Sequence, residues 1–273
     1  MKSALIGYGY WGKILHSNIE KFLNTNVVIH DPVMNIDNMK IVKNCGMIFV
    51  ATPAQTHYNI VKDLLNDGKN VFCEKPLSTS IKEVSTLYDI CKTNKNAKLF
   101  VDWTFTFNDA VKCIKEIVED GRYGKIRNVE MNRLNSGPER KDTCAKWDLA
   151  SHDVSILQYI FEEKPEKVDW VCLKRNKDSF KNDTCYGVIQ YENFDASINC
   201  SWQYGRKNRS CVFEFDAGFL HWDDSLDTIF FENNPVLFKR QGSPLENALK
   251  TFASGEYDQE KLTKEITEIL ENE

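Results

Sequence analysis

Ser3-Ala4-Leu5-Ile6-Gly7-Tyr8-Gly9-Tyr10-Trp11-Gly12-Lys13-Ile14-Leu15 is the stretch on which the reading of this chain turns. A short apolar run meets three glycines spaced G-x-G-x-x-G, and a helical pattern with Ile14, Leu15, Ile19 and Phe22 follows. Between a strand and a helix that spacing has a physical meaning. Gly7 allows a tight turn, Gly9 lets a pyrophosphate approach the backbone, and Gly12 lets helix and strand pack closely. The first N–H groups of the helix then face an anion. Three glycines so spaced also occur in ordinary turns, so the reading leans on what comes next.

Val27-Val28-Ile29-His30-Asp31 forms a second β-branched strand, ending in an acid nineteen residues past Gly12. A carboxylate there accepts hydrogen bonds from both ribose hydroxyls of an adenosine and repels a 2′-phosphate, so NAD is expected in preference to NADP. Asp31 ahead of Pro32 equally suits a plain turn residue.

Strand and helix keep alternating up to about residue 109. Gly46 to Ala51 reads as a parallel strand buried on both faces, stopping at Thr52-Pro53, and a helix with Ile60, Val61, Leu64 and Leu65 follows. Asn70-Val71-Phe72-Cys73 is the next strand, stopping at Glu74-Lys75-Pro76. A helix from about Ser80 to Cys91 and a strand Lys98 to Val101 complete a doubly wound α/β pattern, whose ligands sit at the carboxyl ends of the strands. Beyond it the expected elements are a helix from Ala110 to Asp120, a strand near Ile126 to Leu134, a helix from about Ala150 to Phe161, six strand-like runs between Lys167 and Phe231, and two short helices in the tail. Short polar linkers between those runs predict a large, mostly antiparallel sheet. The chain thus divides into a Rossmann domain over 1–108 and an α+β substrate-binding and oligomerisation domain over 109–273, with the two halves expected to share an interface.

The totals narrow the function classes. The 273 residues carry 42% hydrophobic and 12% aromatic side chains, as a globular protein does, and a formal charge of −5 with no basic stripe makes nucleic acid and acidic membranes poor partners. Nine cysteines without a C-x-x-C pattern read as reduced core residues, and five scattered histidines offer no metal site. No apolar run approaches the roughly 18 residues of a membrane span, and Gly7 interrupts the only N-terminal apolar stretch, so a cytoplasmic enzyme is expected.

Three groups of residues carry candidate chemistry. Lys75 follows a parallel strand, on the rim where a cofactor lies, and Pro76 stiffens its backbone. It suits donation to a substrate oxygen, although composition alone favours an ordinary solvated lysine in a turn. Asp148 and His152 stand four apart, on one face of a helix, where an imidazole beside a carboxylate suits proton acceptance, or His152 is a locally satisfied helix-face histidine and Asp148 only an N-cap. Arg133, Asn135 and Arg140 precede them in a polar segment that fits a diphosphate or carboxylate, or a solvated loop.

Taken in order, Gly7-x-Gly9-x-x-Gly12, Ala51-Thr52-Pro53 with His57, Glu74-Lys75-Pro76 and Asp148-x-x-x-His152 resemble the Gfo/Idh/MocA family of NAD(P)-dependent oxidoreductases. The resemblance implies a Rossmann domain and a second domain with an open sheet used for dimer or tetramer contacts. It implies Lys75 and His152, with Asp148, at the substrate, and a cofactor held by Gly7, Tyr8, Gly9, Tyr10, Trp11, Gly12, Asp31, Ala51, Thr52, Pro53, His57, Glu74 and Lys75. The stretch from Asn132 to Asp142 with Trp147 to Asp153 looks most like nucleotide-sugar members that oxidise the 3-hydroxyl of a UDP-N-acetylhexosamine or its uronic acid. Free sugars, inositols or another cyclic substrate are the alternative within enzymes, and a silent dinucleotide-binding sensor or subunit is the alternative outside them. The chain departs from many members at Lys146-Trp147 and Ala150-Ser151, where they carry glycine.

Overall fold

The structure is a computed structural model describing residues 2–272; Met1 and Glu273, the outer ends of the two expected domains, lie outside the described residues. The first stretch alternates β1 (Ser3–Ile6), α1 (Tyr10–Leu23), β2 (Val27–His30), α2 (Met39–Val42), β3 (Met47–Val50), α3 (Ala54–Asn66), β4 (Asn70–Cys73), α4 (Ile81–Thr93) and β5 (Lys98–Val101). Next come α5 (Asp109–Asp120), β6 (Ile126–Ser136) and α6 (Ser151–Phe161). The strands β7 (Lys167–Leu173), β8 (Thr184–Gln190), β9 (Asp195–Ser201), β10 (Gln203–Phe215), β11 (Gly218–Asp223), β12 (Thr228–Phe231) and β13 (Asn234–Val236) follow, then α7 (Pro244–Ser254) and α8 (Glu260–Glu271).

Two compact units result: Met1–Thr104 with Gly242–Thr267, and Phe105–Gln241 with Glu268–Glu273. The tail therefore does not belong wholly to the second domain, as a boundary at residue 108 implied. The reason lies in the first sheet, which is parallel throughout in the order β2-β1-β3-β4-β5. Its register sets Phe49 beside Phe72 and Phe72 beside Phe100, with ring centroids 5.4 and 5.1 Å apart. This aromatic row needs a cover, and Phe252 of α7 supplies it, lying edge-on to all three rings at 5.3, 5.5 and 5.8 Å. Gln259 and Thr263 add polar ties, accepting from the Val101 backbone N–H at 2.8 Å and the Trp103 indole at 3.0 Å.

The second unit holds an eight-stranded sheet in the order β13-β12-β11-β10-β6-β9-β8-β7, antiparallel apart from the parallel β6–β9 pair. One face carries the core side chains Val129, Met131, Ile189, Ile198, Phe213 and Trp222, and α5 and α6 pack in the same unit. The other face leaves Val171, Leu173, Tyr186, Val188, Phe219 and Phe230 exposed. Alternation of period two along each strand produces this split. Two features differ from the strand reading: β10 begins eight residues before Cys211, and β13 is an extra edge strand. The helix expected from Ala150 is preceded by a π-helical turn, Lys146–Ala150, that carries Asp148. All nine cysteines are free thiols, with Cys45, Cys73, Cys185, Cys200 and Cys211 buried. Among the described residues, no helix is long and apolar enough to cross a membrane.

Candidate active site

In the first unit the glycine loop has the geometry its spacing demands. Gly7 has φ +92°, and a β-carbon there would lie 2.6 Å from the Ala51 carbonyl oxygen; one on Gly12 would lie 2.2 Å from the Gly7 oxygen. Strand β1, its turn, the turn after β3 and the start of α1 are thus in backbone contact. A β-carbon on Gly9 would meet nothing within 4 Å, so the loop is open where a diphosphate approaches. Asp31 stands at the end of β2, where its Oδ2 accepts from the Tyr8 N–H at 2.7 Å and its Oδ1 accepts from Val33 and Met34 N–H at 3.0 and 3.2 Å. It is therefore the turn cap, and its carboxylate also lies beside the glycine loop.

His57 is buried, with Nδ1 2.8 Å from the Pro76 carbonyl oxygen and Nε2 2.8 Å from that of Thr52. It braces the Thr52-Pro53 turn against the Glu-Lys-Pro turn. Glu74 and Lys75 are each only 9% exposed, and the Glu74 N–H donates to the Val50 oxygen at 2.9 Å. Trp11 of the glycine loop donates its indole N–H to Glu74 Oε1.

Asp102 escaped the sequence reading. Register pairs Cys73 with Val101, so Glu74 and Asp102 leave adjacent parallel strands at the same level, and Asp102 is fully buried. Burial raises both acids, and the Asp102 carboxylate raises Glu74 further, against the Trp11 N–H and Lys75. Asp102 is pushed up to about 6 by burial, despite Thr104, Glu74 and Lys75. The signal was present in the sequence: two four-residue strands, NVFC and KLFV, are each followed directly by an acid.

In the second unit Asp148 is held from two sides. The Trp202 indole donates to its Oδ2 at 3.1 Å and Arg140 Nη1 donates to its Oδ1 at 3.4 Å. Arg140 also forks onto Asp142 at 3.0 and 2.6 Å. Burial opposes the guanidinium charge, but Asp142 and Asp148 outweigh it and raise the pKa. Arg133 does not face solvent. It is 2% exposed and donates Nε and Nη2 to Asp153 Oδ1 at 2.9 and 2.8 Å. The fork proposed for an anion is spent on a carboxylate inside the unit, because β6 turns Arg133 to the face that α6 covers. Asn135 is half-buried on β6, where the pairing with β10 slips between Gln203 and Asn208. His152, half-exposed, lies in the first turn of α6, and its ring meets Phe105 edge-on at 5.0 Å. Among the described residues, no group of three or more histidines, cysteines and acids is arranged to hold a metal.

Comparison with known proteins fits this geometry. The family model described as an oxidoreductase family with an NAD-binding Rossmann fold matches residues 12–102, and that of the GFO/IDH/MocA C-terminal domain matches residues 111–221. An inositol 2-dehydrogenase of Rhizobium meliloti is 23% identical over 141 residues, which are 50% of this chain and 42% of that protein. The alignments with curated relatives thus span about half of their length or less. The UDP-N-acetylglucosamine 3-dehydrogenase GnnA of Acidithiobacillus ferrooxidans superposes with a TM-score of 0.84 at 15% identity, covering 99% of this chain and 95% of that one. An oxidoreductase from Agrobacterium radiobacter, solved with NAD+, L-tartaric acid and magnesium, superposes with a TM-score of 0.80 at 13% identity, covering 99% and 94%.

Proposed function

The chain belongs to the Gfo/Idh/MocA oxidoreductase family, and from that premise we propose that it is an NAD-dependent dehydrogenase acting on a secondary hydroxyl of a sugar. The observation that carries this reading is Lys75, nine-tenths buried at the carboxyl end of β4 in the NAD-binding sheet. A lysine so placed is suited to a reaction at the rim where the nicotinamide is expected.

Gly7 to Gly12, the Ala51-Thr52-Pro53 turn and Asp31 would hold the dinucleotide, and the clearance at Gly9 fits its diphosphate. Bound NAD supplies the acceptor for a hydride. His152 takes the hydroxyl proton, and Lys75 donates a hydrogen bond to the oxygen as it becomes an alkoxide and then a carbonyl. Asp148, itself steadied by Trp202 and Arg140, orients His152 or holds a neighbouring substrate hydroxyl.

The substrate we propose is a UDP-N-acetylhexosamine, or its uronic acid, oxidised at C3. A second reading, a free cyclic polyol such as an inositol, has one specific observation in its favour: Arg133 is spent on the buried Asp153, and Arg140, though 34% exposed, already pairs with Asp142 and Asp148, so no guanidinium of this segment is held ready for a diphosphate. Absorbance at the nicotinamide band, with a 2-oxoacid to reoxidise any bound cofactor, separates them. A rise with a UDP-N-acetyl sugar that is lost in His152→Ala supports the first. A rise with inositols or free sugars alone supports the second. Tight NADH binding with no turnover on either set leaves the silent binder. We also propose that a second copy of the chain covers the exposed sheet face bearing Val171, Leu173, Tyr186, Val188, Phe219 and Phe230. Light scattering on Val188→Glu, which should yield monomers, tests that.

A further inference from the structure

His152 takes part in a closed circuit of contacts within the second unit. Its neighbour Asp153 is fully buried and holds Arg133 through two donors on one oxygen. The remaining amino group of Arg133, Nη1, has no hydrogen-bond partner among the described residues, and Asp224 stands 3.9 Å from it. A buried guanidinium that is incompletely bonded gains from the negative face of an aromatic ring. Phe105 provides one, with its centroid 4.4 Å from the guanidinium carbon. The same ring meets Trp222 at 6.2 Å and His152 at 5.0 Å, steeply inclined to both.

The circuit thus runs from His152 through the backbone to Asp153, by ion pair to Arg133, by cation–π contact to Phe105, and back to His152. Adjacent residues on a helix project about 100° apart. Asp153 drawn inward therefore leaves His152 on the flank of α6, and the Phe105 ring closes one side of the space its imidazole can sweep. We propose that Phe105 is a positioning residue for His152, clamped by Arg133 so that the imidazole keeps one orientation. This rests on the reading of His152 as proton acceptor.

The test pairs Phe105→Leu, which keeps bulk but loses the ring, with Phe105→Tyr, which keeps the ring. Misplacing a catalytic group by an ångström can cost on the order of 10²-fold in rate. Phe105→Leu is expected to lower kcat about tenfold or more, to change KM and NADH affinity less than about twofold, and to be rescued by Phe105→Tyr. In the folded enzyme, the His152 ring-proton resonance, identified by its loss in His152→Asn, should shift in Phe105→Leu and stay near its wild-type position in Phe105→Tyr. Wild-type kcat in Phe105→Leu, or an unmoved resonance, overturns the proposal. Should Phe105→Leu fail to fold, the wild type alone decides: a nuclear Overhauser contact between the two rings supports the clamp, and its absence overturns it. Full turnover in His152→Asn would sink the proton-acceptor reading instead, whatever the resonance does.

Discussion

Each unit buries acids next to a residue proposed for chemistry, and the two units balance the charge in opposite ways. In the first, Glu74 and Asp102 stand side by side at strand ends, like beside like, and both are raised toward the protonated form by burial. In the second, Asp153 faces Arg133, opposite beside opposite; burial raises the Asp153 carboxyl as well, but here the guanidinium in contact with it pulls the other way. Burial works against the guanidinium charge there, but the Asp153 carboxylate outweighs it and the arginine stays charged. The difference follows from position. Glu74 and Asp102 leave adjacent strand ends with only Lys75 as a nearby cation, so a proton shared between them relieves their repulsion. Asp153 in the second unit instead has a guanidinium in direct contact, which lets a buried charge persist.

The largest test of this contrast is to remove one member of the opposite pair. Arg133→Met leaves the buried Asp153 without its hydrogen-bonded counter-charge, with only Arg209 acting on it from farther away, and should destabilise the protein by about 3–5 kcal/mol in urea unfolding. Arg133→Met with Asp153→Leu should recover most of that loss. A double variant no better than the single would mean the loss came from packing and not from charge. The second test moves from stability to rate: Lys75→Ala and His152→Ala should each lower turnover by about 10²-fold while leaving NAD binding nearly intact. Wild-type-like turnover in either variant removes that residue from the mechanism.

The like-charged pair carries a pH signature of the opposite sense to ordinary acid denaturation. Asp102 rises from the usual 3.8 to about 6 in the folded chain, so the folded state binds the proton more tightly. Its contribution to stability is full below pH 3.8 and is lost as pH rises through about 6. Between pH 4 and pH 7 the wild type should therefore lose on the order of 1–3 kcal/mol that Asp102→Asn does not lose. Equal pH slopes in the two proteins would show that the acids do not share a proton. The smallest expected effect is that of Trp11→Phe. It withdraws one donor from Glu74 and should cost about 1 kcal/mol, most visibly at alkaline pH where that carboxyl is ionised.

Much of this was legible because it is local. The glycine loop, Asp31, Lys75 and the alternation of the first hundred residues are set by neighbours within a few positions, and the structure places each at the turn or strand end expected. The π-helical turn at Asp148 was not legible, since nothing in Lys146–Ala150 distinguishes it from ordinary helix. The destination of the tail was not legible either. The amphipathic pattern around Phe252 shows that α7 needs an apolar surface, but does not say that the surface is the row of Phe49, Phe72 and Phe100 on three strands far earlier in the chain.

Arg133 marks the boundary between the two kinds of information. By itself the sequence determined that a basic residue stands on β6 shortly before the Asp148 and His152 segment, and that glycine spacing, strand ends and helix starts build a dinucleotide-binding unit. Only the tertiary structure decided that Arg133 points inward to Asp153 and Phe105, and that Glu74 meets Asp102. Backbone conformation is dictated by residues close in the chain, whereas the partner of a buried charge is chosen by which distant strand or helix packs against it.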